Sequence, residues 1–197
     1  MTSNKALRLL LVLIPLAAAC SGDAMAVDST PAPDETTTYY VVRHAERNLG
    51  EDPPLNEEGV IRAERLADSL ELAGIDEILT TRFIRGQQTG EPLATRTDVP
   101  ILVAPAEFSS WPEFAADVSA WQLDREVAGR TYLMIGHSSE YNTTLLQALG
   151  APDTGEALGE AYQDIVILVR QVDGSVRLST LQYGGRSSLD ELSGIPP

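Results

Sequence analysis

From Tyr39 to Gln182 the chain alternates short apolar, β-rich runs with stretches whose apolar residues recur at helical spacing, a pattern that few architectures accommodate. Strands linked by helices tend to run parallel, and a parallel sheet needs helices on both faces. The expected fold is therefore an α/β three-layer sandwich with a mostly parallel central sheet. Strands are expected at 39–43, 75–79, 99–103, 130–135, 164–171 and 175–182, the last two joined at Asp173-Gly174, a strong hairpin signal. One helix should start after Asn56, a good N-cap followed by Glu57 and Glu58, and end at Gly74. A second should leave the 80–89 segment and reach about Arg96, and a third should run from Pro112 to about Val127. In a fourth, Tyr141, Leu145, Leu146 and Leu149 share one face, and Gly150 and Pro152 terminate it.

The first 38 residues read differently. Lys5 and Arg8 precede an apolar run, Leu9 to Leu16, that ends in Ala17-Ala-Ala-Cys20. This is the form of a signal peptide over 1–19, and the run is too short to span a bilayer. Cys20, the only cysteine, sits where a bacterial lipoprotein carries its lipid, although Ala17 stands where such signals usually have Leu. Lipidation at Cys20 is the expected outcome. A cut after Ala26 is the alternative and would release a soluble exported protein. Residues 20–38, rich in Ser, Thr, Pro, Asp and Ala, read as a flexible tether. The folded domain is expected over 39–184, followed by a loosely held tail at 185–197. The expected location is periplasmic or cell-surface. A lone cysteine in the targeting segment argues against a thiol catalyst, and with no second cysteine there is no intrachain disulfide. The formal charge of −15 disfavours nucleic acid and anionic membranes as partners, so membrane contact is expected only through the lipid. No feature of the sequence fixes the oligomeric state.

Both of the chain's two histidines directly follow expected strands: His44 after Tyr39-Tyr-Val-Val-Arg43 and His137 after Tyr132-Leu-Met-Ile-Gly136. The carboxyl ends of neighbouring strands in an open α/β sheet converge on one crevice, where the two can meet on a single ligand. Arg43 lies beside His44, and Arg85 lies near the start of a helix whose free N–H groups also favour an anion. Arginine presents a planar, permanently charged fork suited to phosphoryl oxygens. Together these four residues make a local cationic pocket in an acidic protein, suited to a small phosphorylated substrate.

The motifs resemble those of the histidine phosphatase superfamily, which includes phosphoglycerate mutases, bacterial phosphohistidine phosphatases and small-molecule phosphatases. Val42-Arg43-His44-Ala45-Glu46 is similar to the family's Arg-His-Gly signature in its Arg-His-Ala form. Leu55-Asn-Glu-Glu-Gly59 resembles its Leu-Thr-x-x-Gly segment, Arg85-Gly-Gln-Gln-Thr89 its Arg-x-x-Gln-Thr helix start, and Gly136-His137-Ser138 its second-histidine signature. The resemblance implies a phosphoglycerate mutase-like fold and a covalent phosphohistidine on His44 that water hydrolyses. Arg43, His44, Arg85 and His137 would hold the phosphoryl group, with no cofactor and no metal. A phosphorylated histidine in a protein is among the substrates it implies.

The proton donor is less clear in these terms. The family's acid-phosphatase branch has Asp after the second histidine, and this chain has Ser138. In the mutase-like branch a glutamate between the arginine helix and that histidine supplies the proton, and Glu107 is the nearest positional candidate. Glu140 is explained by helix capping alone. Substrates with good leaving groups, such as phosphoramidates or acyl phosphates, need little proton donation. Glu46 is expected to orient the arginines, Arg47 and Arg82 flank the same loops, and Trp111 and Trp121 are expected to pack in the core or at its edge. The leading reading is an exported phosphatase. Its rivals are a phosphate-binding module of the same fold without turnover and, less favoured, a phosphomutase, for which the short 104–111 loop leaves little closing insertion.

Overall fold

The structure, a computed structural model, describes residues 35–153, 159 and 161–184. The expected signal peptide, Cys20, most of the tether and the 185–197 tail lie outside the described residues. The elements are β1 (Thr37–Arg43), α1 (Glu57–Leu70), β2 (Glu77–Thr80), α2 (Ile84–Thr97), β3 (Ile101–Val103), α3 (Trp111–Arg125), β4 (Thr131–Gly136), α4 (Ser139–Ala148), β5 (Asp164–Arg170) and β6 (Val176–Gln182). They form one sheet in the order β3-β2-β4-β1-β5-β6. The pairs β2–β3, β2–β4 and β1–β4 are parallel, and β5 runs antiparallel to both β1 and β6.

The central strands are apolar throughout because both their faces are covered. Tyr39, Val41, Tyr132 and Met134 point to one side, where they pack with Phe114 and Val118 of α3 and Tyr141 and Leu145 of α4. Val42, Leu133 and Ile135 point to the other, against Leu66 and Leu70 of α1 and Leu93 of α2. The period of two along each strand thus feeds two separate core layers. Tyr39 and Tyr132, opposed in the register of β1 and β4, stack with ring centroids 5.2 Å apart.

Several boundaries differ from the sequence expectation for local reasons. β1 begins at Thr37 because Thr37 and Thr38 already pair with Arg170 and Val169. α1 stops at Leu70, before its Gly74 signal, and Gly74 serves the following turn with φ +68°. β2 ends one residue later than expected, at Thr80, which pairs with Val103. α3 starts at Trp111 because the Ser110 hydroxyl caps it by accepting from Glu113 N. The remaining strands and helices fall where the patterning placed them, to within a few residues at their ends.

α1 is pressed onto the turn that follows β1. Asn56 caps it, with Oδ1 accepting from Gly59 N at 2.8 Å. A Cβ on Gly59 would collide with the carbonyl of Glu46, so glycine is required for close approach. Gly59→Ala is expected to destabilise the fold by about 1–3 kcal/mol in urea titration, whereas Val60→Ala, at an exposed neighbouring position, should stay within about 0.5 kcal/mol.

Candidate active site

β1 and β4 lie side by side in a register that pairs Arg43 with Gly136, and His44 N donates to Gly136 O at 3.0 Å. The two histidines therefore leave the sheet at the same level, with ring centroids 5.5 Å apart. Both are buried. β2, on the far side of β4, ends at Thr80, and the next residue, Thr81, puts its hydroxyl 2.9 Å from His137 Nε2. Arg85 enters from the first turn of α2, is buried, and sets one guanidinium nitrogen 3.4 Å from His137 Nδ1. Arg43, Arg85, His44 and His137 are thus brought together, as the sequence predicts.

The protonation of the two imidazoles follows from their partners. His44 Nδ1 lies 2.8 Å from Ala45 O, and a carbonyl only accepts, so Nδ1 carries the hydrogen. Burial, reinforced by the charges of Arg85, Arg43 and Arg47 and opposed by the Ala45 bond, pushes its pKa down to about 3. The ring is therefore neutral at physiological pH, with Nε2 unprotonated and available as a nucleophile. His137 is held well below its ordinary value by burial first, then by His44 and the same arginines. Because arginine only donates, His137 Nδ1 accepts from Arg85, and Nε2–H donates to Thr81. Arg85 is pushed down to about 10, by burial first and then by Arg47, and keeps its charge at neutral pH.

The remaining motif residues brace these groups. Thr89 Oγ1 accepts from Ala45 N at 2.9 Å and donates to Arg85 O at 2.7 Å, tying the histidine turn to α2. Gln88 Oε1 accepts from Leu55 N at 2.9 Å. Asn142 Oδ1 accepts from His137 N at 3.2 Å and lies so close to Gly136 that a Cβ there would strike it. Glu46 departs from expectation. Its carboxylate, fully buried, does not orient the site arginines but receives Nε of Arg62 from α1 at 2.7 and 2.8 Å. The pair locks the turn after His44 onto the helix.

The other candidates lie around the rim. Glu107 is largely exposed and pairs with Arg82 at 3.2 Å. Glu140 is exposed in the first turn of α4. Arg47 is half-buried and donates to Asn48 O, and Trp121 packs at the core edge under Arg125. Trp111 does more than pack: its ring lies 4.7 Å from that of His137. Three neighbours carried no sequence signal. Asp52 accepts from Ile84 N at 3.1 Å and from Arg85 at 3.4 Å, so a carboxylate of this chain occupies the anion position at the start of α2. The Tyr162 ring lies 4.4 Å from the Arg43 guanidinium and 6.1 Å from His44. The Phe83 ring lies 4.2 Å from the Arg85 guanidinium.

The chain has an α/β fold of the phosphoglycerate mutase-like class, with two histidines and two arginines gathered at the ends of β1 and β4 and the start of α2. Residues 39–108, which hold Arg43, His44 and Arg85, match the family model of the histidine phosphatase superfamily (branch 1). The fold is shared with a mycobacterial glucosyl-3-phosphoglycerate phosphatase (16% identity, TM-score 0.58, covering 77% of this chain and 100% of that one). It is shared equally with the protein histidine phosphatase SixA solved with tungstate (19%, 0.56, 74% and 96%). A phosphoglycerate mutase from Plasmodium falciparum also has it (19%, 0.53, 78% and 96%). No curated protein matches the chain significantly.

With both pKa values depressed, neither imidazole should titrate between pH 8 and 5 when followed by NMR in the ligand-free protein. An unfolded histidine takes up its proton near pH 6.5, so stability contributed by neutral burial is lost as pH falls from 6.5 toward about 3. His44→Asn should flatten that decline by up to about 1.4 kcal/mol per pH unit in denaturant titrations.

Proposed function

We propose that the chain is an exported phosphatase that transfers a phosphoryl group from a small phosphorylated substrate to His44 Nε2 and then to water. The observation that carries this reading is the juxtaposition of His44, its Nδ1 tied to Ala45 O and its Nε2 thereby left as the lone-pair nitrogen, with His137 and Arg85 at the strand ends. The superfamily match and the phosphatases that share the fold support it.

In the first step the Nε2 lone pair forms a bond to phosphorus while the bond to the leaving oxygen or nitrogen breaks. The leaving group departs with the electron pair of that bond and takes its proton from solvent or from an acid at the rim. In the second step water attacks phosphorus, the P–N bond breaks, and inorganic phosphate is released with His44 again neutral. Charge spread over the three equatorial oxygens is met by Arg43, Arg85 and His137, so the rate gain comes from positioned donors in a site shielded from water. His137 assists when its Nε2–H turns from Thr81 to a phosphoryl oxygen. No metal enters this account. Glu107, exposed and engaged with Arg82, lies at the rim, and a substrate whose leaving group needs little protonation suits that arrangement. Export, with a lipid on Cys20, belongs to the same proposal and rests on the leader sequence.

A colorimetric phosphatase assay tests the reading. The wild-type protein should release phosphate from 4-nitrophenyl phosphate without added metal, and His44→Ala should lower kcat by at least about 10³-fold. Arg85→Ala should cost about 10²–10³-fold, and Glu107→Gln less than about threefold. Acid-quenched protein should carry one phosphoryl group on His44 by mass spectrometry. Phosphate binding without turnover would favour the binding-module reading.

A further inference from the structure

The rings around His137 form a graded series from the core to the surface. Phe114 and Tyr141 are fully buried. Trp111 and Phe83, half-buried, lie against the His137 ring with centroids 4.7 and 5.2 Å away. Phe108 stands outermost, 38% exposed, edge-on to Trp111 at 4.8 Å and to Phe83 at 6.0 Å. Phe83 also lies under the Arg85 guanidinium. The aromatic surface therefore begins at His137 and Arg85 and runs outward through Trp111 and Phe83 to Phe108.

We propose that this shelf of Phe83, Trp111 and Phe108 is the leaving-group subsite, and that the preferred substrates are phosphoryl compounds of a planar aromatic or heteroaromatic group. The assignment rests on the phosphatase reading and adds the substrate class. A ring seated there would bury the exposed face of Phe108 and meet the existing rings in stacked or edge-to-face contact. The rest of the rim argues against a second anionic group. An adjoining cleft of about 320 Å³ is lined by Glu51, Asp52, Arg82 and Phe83, and Arg82 is already engaged with Glu107. A second phosphate would face two carboxylates. Aromatic leaving groups such as phenols and imidazoles also depart with little proton donation, which fits a proton-donor candidate that sits exposed at the rim.

The test separates stacking from leaving-group chemistry by using phosphonates, which are not hydrolysed. Calorimetric affinities of 2-naphthylmethylphosphonate and ethylphosphonate are measured for the full-length wild type, Phe108→Ala and Phe108→Leu. Wild type should bind the naphthyl compound at least about tenfold more tightly, Phe108→Ala should remove about five- to tenfold of that preference, and ethylphosphonate should be unaffected. Phe108→Leu, which keeps apolar area without a ring, should restore only part of it. Equal affinity of wild type for the two phosphonates, or a preference unchanged in Phe108→Ala, overturns the proposal. Failure of the phosphatase reading is seen separately, as a wild type that does not hydrolyse 4-nitrophenyl phosphate or as hydrolysis that survives His44→Ala, and the phosphonate ratio still decides the subsite.

Discussion

The register of β1 against β4 is the constraint on which the site depends. Pairing Arg43 with Gly136 puts His44 and His137 one residue beyond the ends of adjacent parallel strands. A slip of β1 by one residue would turn Tyr39 and Val41 from one core layer to the other, together with every side chain of the strand. Because both faces of these strands are buried, the hydrophobic cores on either side hold that register. The energy that fixes the geometry of the site is thus mostly the energy of ordinary core packing, and the site inherits its precision from the sheet.

Burial that fixes the geometry also sets the chemistry. Both imidazoles are pressed to the neutral form first by burial and then because a proton would add a further cation among Arg43, Arg47 and Arg85. Arginine concentration at one point is balanced nearby by carboxylates held in definite places. Glu46 neutralises Arg62 behind the histidine turn, and Asp52 meets Arg85 at the mouth. An acidic protein can in this way present a short-range attraction for a phosphoryl group while its long-range field repels polyanions.

The fold was readable in the sequence wherever local chemistry and tertiary packing agree. Asn56 caps, Gly174 turns, and the doubly buried strands read as apolar runs because the same residues satisfy both levels. Helix and strand ends were less readable, since tertiary pairing decides them: Thr37 joins β1 through β5, and Gly74 serves a turn beyond the end of α1. The four central site residues were legible because each sits at a strand end or helix start within a short motif. Asp52, Tyr162 and Phe83 were not, because they reach the site from loops whose course is set by the three-dimensional fold. The reading of Glu46 failed for a related reason. Adjacency in sequence suggests a partner of Arg43, but the turn after β1 is pressed onto α1, where Glu46 meets Arg62. Trp111 packs, as a loop tryptophan is expected to, but the surface it packs on is the ring of His137.

Arg85 shows how completely the site is organised before any ligand arrives. One terminal nitrogen is committed to His137, the other to Asp52, and the guanidinium lies over Phe83. Each contact restricts a side chain that would otherwise cost rotamer entropy on binding. The Asp52 contact is the replaceable one, since that carboxylate is half-exposed while His137 and Phe83 are held by the core. On the proposed reading, a phosphoryl dianion would bring more charge to Arg85 than the single carboxylate of Asp52 does. Under that reading Asp52 would yield Arg85 to the phosphoryl group while the His137 and Phe83 contacts keep the guanidinium in place, so donors already positioned would meet the charge that builds up during transfer.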